Sequence, residues 1–77
     1  SSEIREIVER TLSGLSKQTR LAFDMSRLEN KSNFEISKQM GISVKAVEYH
    51  ITKALKALRL SLQDYLSLTT IIFLALK

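Results

Sequence analysis

The chain has no cysteine and no proline, and only two glycines in 77 residues. Without cysteine, no disulfide framework or thiolate metal site reinforces a small core, and the absence agrees with a reducing cytosol. Without proline, only Gly14, Gly41 and clusters of polar residues can interrupt a helix. Long apolar runs are missing as well. The longest, Ile71 to Leu76, is far short of the roughly 20 residues of a membrane span, and no basic-then-apolar leader opens the chain. These absences predict a soluble, cytoplasmic, helical protein. Its length allows one core at most, and a chain of this size buries only about 60% of the surface that its unfolded form exposes.

The charge that is present is unevenly placed. Through Asn30 five acids balance five bases, and after Arg59 Asp64 balances Lys77. The whole formal excess of +4 therefore falls between Lys31 and Arg59, where Lys31, Lys38, Lys45, Lys53, Lys56 and Arg59 meet only Glu35 and Glu48. A basic segment of this kind attracts phosphates, although a lysine-rich helix alone is more often a solvated face.

Apolar periodicity and capping signals predict four helices. Ile4, Ile7, Val8, Leu12 and Leu15 recur at helical spacing between charged residues, and that run ends near Ser13-Gly14. Ser16 is placed to cap a second helix with a buried stripe of Leu21, Ala22, Met25 and Leu28 and with Phe23 at its edge. Ser32 and Glu35 have the spacing of a capping box, opening a short third helix that turns Ile36 and Met40 inward and stops at Gly41. Ser43 then caps a fourth helix with Val44, Val47, Ile51, Ala54, Leu55 and Leu58 on one side. Two helices joined by so short a glycine-containing turn form a helix-turn-helix. A plain helical hairpin is the alternative, but capping box, glycine turn, second cap and confined basic charge coincide in this one segment.

On the side of the fourth helix opposite its apolar stripe lie Lys45, Tyr49, Thr52, Lys53 and Lys56. A helix in a major groove reads base edges near its N-terminal half, so Glu48, Tyr49, Thr52 and Lys53 are the candidates for base contacts. Candidates for the DNA backbone are Lys31, Asn33, Lys38, Ser43, Lys45, His50 and Lys56, with Ser43 and Lys45 at the positive end of the helix dipole. His50, the sole histidine, is either a half-buried packing residue or a phosphate donor. No cysteine or paired acid accompanies it at ligand spacing, so neither metal nor cofactor is expected. Nothing resembles a catalytic nucleophile, a glycine-rich phosphate loop or a paired-carboxylate site, and no enzymatic activity is expected.

The runs Lys17-Gln18-Thr19-Arg20-Leu21-Ala22-Phe23 and Ser26-Arg27-Leu28-Glu29, the stretch from Asn33 through Gly41-Ile42-Ser43 to Val47-Glu48-Tyr49-His50, and the closing Lys53-Ala54-Leu55-Lys56-Ala57-Leu58-Arg59 together resemble a known family. It is region 4 of the sigma-70 RNA polymerase sigma factors, and most of all the extracytoplasmic function group. The resemblance spans residues 3 to 59. It implies an all-α, four-helix domain of the winged-helix-like region 4 type with a C-terminal helix-turn-helix, here residues 1–60. Its last helix would recognise the minus-35 promoter element, and an outer surface would dock on the flap of the polymerase beta subunit. An anti-sigma factor is a further implied partner. Glu48, Tyr49, Thr52 and Lys53 match base-facing positions of the family, and Ser43, Lys45 and His50 match positions near the DNA backbone. Nothing here resembles the family's separate domain for the minus-10 element, which implies a C-terminal piece of a longer sigma factor. Two residues depart from the pattern. Ser37 replaces the usual alanine and needs a partner for its hydroxyl, and Tyr49 is bulky for a base-reading position. The LuxR-type regulator domain shares the glycine turn and the Val-Glu-Tyr-His-like run, and is the alternative family.

After Arg59 the composition changes. Leu60, Leu62, Tyr65, Leu66, Leu68 and the run from Ile71 to Leu76 make residues 61–77 an apolar helical tail that must pack on something. Either it folds back on the outer face of the first two helices, or it is a protein interface for self-association, polymerase or an anti-sigma factor.

Overall fold

A computed structural model describes residues 2–76 and folds them into four helices with no strand among them: α1 (Ser2–Ser13), α2 (Lys17–Arg27), α3 (Asn33–Met40) and α4 (Val44–Leu76). Serines open the last three. The Ser16, Ser32 and Ser43 hydroxyl oxygens accept the backbone N–H of Thr19, Glu35 and Ala46 at 3.2, 3.1 and 3.0 Å, each filling a donor that the first helical turn leaves unpaired. Glu35 also accepts the Ser32 N–H at 2.9 Å, which completes the capping box. That backbone donor, then the Ser32 hydroxyl, then the charge of Lys31 hold the Glu35 carboxyl below its ordinary pKa.

Two left-handed residues set the turns. Asn30, with φ 55°, reverses the chain after α2, and the Lys31 N–H then reaches back to the Met25 carbonyl at 3.0 Å. Gly41, with φ 67° and ψ 34°, ends α3, and its N–H bonds to the Ser37 carbonyl. A Cβ at position 41 would meet nothing within 4 Å, so the requirement for glycine comes from the backbone angle and not from crowding.

Two apolar clusters share α2 and α4. Ala22, Met25, Ile36, Val47 and Ile51, with Met40 and Ile42 beside them, join α2, α3 and α4. Leu12, Phe23 and Ala54, with Val8, Leu15 and Leu58, fasten α1 to the other side of the same pair. The buried face of α2 is Thr19, Ala22, Phe23 and Met25, which corrects the stripe expected from sequence. Leu21 is 49% exposed and Leu28 is 77% exposed, while Phe23 is in the core. The physical reason is twofold. Leu28 lies past the last turn of α2, and turning Phe23 inward buries a larger apolar side chain than Leu21 would offer. Val44 and Leu55 of the expected α4 stripe also lie at its exposed margin. Ser37 satisfies its buried hydroxyl by donating to the Phe34 carbonyl at 2.7 Å, the partner that the sequence reading required of it.

The apolar tail is part of α4. No glycine or proline interrupts residues 44–76, and the helix continues for 33 residues, about 50 Å at 1.5 Å per residue, along the 52 Å long axis of the molecule. The Ser61 and Thr11 hydroxyls are hydrogen-bonded at 2.8 Å, holding α4 to α1 at that level. Beyond it, residues 66–76 do not fold back on α1 and α2. Leu66, Leu68, Ile71, Ile72, Phe73, Leu74 and Leu76 are each more than half exposed. No helix among the described residues is long and apolar enough to cross a membrane.

Candidate nucleic-acid interface

The rotation of α4 is fixed by Val47, Ile51 and Ala54, which are buried against α2 and α3 on one side and α1 on the other. At 100° per residue this directs Lys45, Tyr49, Thr52, Lys53 and Lys56 to the opposite side and Glu48 to its flank, and all six are exposed. The four residues expected to read bases are thus all exposed in the first three turns of the helix, Tyr49, Thr52 and Lys53 opposite the core and Glu48 at the margin of that face. The first turn of α4 holds no acid to offset its positive end. Lys45, Lys53 and Lys56 have no carboxylate within ion-pair distance among the described residues. Their ammonium groups are therefore available to phosphate.

Aromatic contacts brace this face. The Lys53 ammonium lies 5.7 Å from the centre of the Tyr49 ring, and the His50 ring meets Tyr49 edge-on with 5.4 Å between centroids. His50 is half-buried on the flank of the helix, and its Nδ1 lies 2.9 Å from the Thr19 hydroxyl of α2. Both sequence-level readings of this histidine thus retain a foundation: one ring nitrogen is held inside the protein, and the other has no bond to a described residue.

The candidates from the preceding helix are less uniform. Lys38 is exposed, with its ammonium 5.1 Å from the centre of the Phe34 ring. Asn33 is half-buried at the start of α3. Lys31 donates to the Gln39 side chain at 2.8 Å and pairs with Glu29 at 3.3 Å, so this ammonium is engaged within the protein. Such pairing could not be read from charge counting, because Gln39 becomes a neighbour only when α3 forms. Sequence reasoning also passed over Phe34, exposed beside Lys38, and over Thr19 as the partner of His50. The available signal for Thr19 was a polar residue three after a serine cap, one helical step from Ala22 and Phe23.

A family model for sigma-70, region 4, matches residues 5–58. The matched segment runs from α1 through the exposed face of α4 and stops before the apolar tail. No curated protein sequence matches the chain.

Proposed function

Because the chain belongs to the sigma-70 region 4 family, we propose that it recognises the minus-35 element of promoters as the C-terminal domain of a sigma factor of the extracytoplasmic function group. In this reading the first three turns of α4 enter the major groove. Glu48, Tyr49, Thr52 and Lys53 contact base edges, while Ser43, Lys45, His50 and Lys56, with Asn33 and Lys38 from α3, hold the backbone. Lys31 contributes to the latter group only by exchanging its internal partners for a phosphate. The carrying observation is the composition of the exposed α4 face: three lysines without an ion pair among the described residues, around a tyrosine and a threonine opposite the buried Val47, Ile51 and Ala54, with a glutamate at the margin. Lysine suits guanine acceptors, glutamate accepts from cytosine, and tyrosine or threonine can pack on a thymine methyl.

Two measurements test this reading. The chain should bind the polymerase beta flap, and its affinity for duplex DNA should fall steeply with salt, with a log–log slope of about −3 for three or four neutralised phosphates. Duplex binding without flap binding would favour the LuxR-type alternative.

The exposed end of α4 supports a second role beside DNA recognition. In this reading residues 61–76 are an association helix, and in the isolated chain a second copy covers it. Sedimentation should then show a self-associated species whose population hardly changes between low and high salt, because apolar burial is little screened. Truncation after Arg59 should leave a monomer. If the parent chain is itself monomeric at both salts, its tail waits for a different protein, and polymerase and an anti-sigma factor are the next partners to assay.

A further inference from the structure

Thr19 is the most deeply buried polar side chain among the described residues, at 1% exposure, and it lies where α2 meets α4. Valine would fill the same space without burying a hydroxyl, so the hydroxyl calls for a reason. It stands 3.0 Å from the Ser16 hydroxyl and 2.9 Å from His50 Nδ1. The Ser16 oxygen already accepts the Thr19 N–H, and its own hydrogen is donated to Thr19 Oγ1. The single Thr19 hydrogen is then left for His50 Nδ1. An imidazole nitrogen that accepts a hydrogen bond carries no proton, so the neutral ring keeps its proton on Nε2. Nε2 bonds to no described residue, yet among the described residues no side-chain nitrogen or oxygen is sealed away unpaired, so this end of the ring is open to the outside.

We propose that Thr19 is a positioning residue for DNA binding, locking His50 through the Ser16–Thr19–His50 hydrogen-bond chain as an Nε2–H donor to a DNA phosphate oxygen. The edge-on contact with Tyr49 restrains the same ring. The proposal rests on the DNA-binding reading above for the identity of the acceptor, whereas the lock belongs to the free protein. It assigns α2 a part in recognition without itself touching DNA: the helix sets which nitrogen of a residue on α4 donates, and in which direction.

The test uses the 77-residue chain and a mixed-sequence duplex at low salt, since a phosphate contact weakens binding to all sequences alike. Thr19→Val should lower affinity about fivefold, the weight of one ordinary hydrogen bond, and Thr19→Ser should restore it. His50→Gln should weaken binding by at least as much, and adding Thr19→Val to it should have no further effect. Nitrogen-15 NMR of the ring should show the neutral imidazole protonated on Nε2 in the parent and divided between tautomers in Thr19→Val. Should Thr19→Val fail to fold, Ser16→Ala at the exposed cap removes the head of the chain and should shift the proton toward Nδ1. An equal loss from Thr19→Val in the His50→Gln background overturns the proposal, as does a parent ring protonated on Nδ1. A parent chain that binds no duplex overturns the DNA-binding reading and the phosphate acceptor with it, while the ring-nitrogen signals still decide the lock.

Discussion

Lys53→Glu should weaken duplex binding by roughly 10- to 100-fold at low salt, the cost of losing a base contact near the centre of a reading helix. Lys53 is exposed in the third turn of α4, with its ammonium 5.7 Å from the centre of the Tyr49 ring and in no ion pair among the described residues. Replacing the ammonium with a carboxylate removes a donor and sets a negative charge against the phosphates. The loss should therefore shrink as salt rises, and the salt slope should fall by about one unit. The fold should not change. An exposed position without an ion pair ordinarily alters stability by less than about 0.5 kcal/mol, so the urea midpoint serves as the internal control. Flap binding should also survive, because the substituted face is the one assigned to DNA. Undiminished duplex binding by Lys53→Glu would exclude this face of α4 from the groove.

The second large effect is expected in the core. Ile36 is fully buried and joins Ala22 and Met25 of α2 to Val47 and Ile51 of α4. Ile36→Ala should cost about 2–5 kcal/mol, combining lost transfer energy with the cavity left behind. In so small a domain that amounts to a fall in Tm on the order of 20 °C. The consequence for function is direct, since α3 is the support that holds the N-terminal half of α4 in place. Leu21→Ala is the matched comparison. Leu21 is half exposed on the far side of α2, so its truncation should cost less than about 1 kcal/mol. Thermal melts of the two variants would separate a core residue from one that sequence periodicity alone would also have placed inside.

That comparison marks where the sequence stops being informative. Features determined by neighbours along the chain were legible: the caps at Ser16, Ser32 and Ser43, the capping-box glutamate and the left-handed Gly41 all depend on residues within three or four positions. The exposed face of α4 was legible for the same reason, because helical geometry alone opposes Tyr49, Thr52 and Lys53 to Val47 and Ile51. Features settled by distant contacts were not. Thr19 faces inward with its hydroxyl paired to Ser16 nearby and to His50, 31 positions away, and the second of these partners could not be read along the chain. Phe23 displaces Leu21 from the core because Leu12 and Ala54 form a site that fits the larger ring. Lys31 counted as free charge in the sequence, but Gln39 and Glu29 occupy it once the chain folds. Asn30 is a local feature that was legible only in part: its polar neighbours announced a break, but not that asparagine itself would adopt the left-handed angle.

The unbroken course of α4 has a mechanical consequence. A helix that begins with the residues assigned to DNA and ends with an apolar handle, without glycine or proline between, transmits torsion. Because Val47, Ile51 and Ala54 fix the rotation of the helix, they also set the direction in which Ile71 and Phe73 face. Inserting one residue between Arg59 and Tyr65 would turn one end against the other by about 100°. The core therefore sets, by helical phase, the bearing from which a partner must approach the distal end.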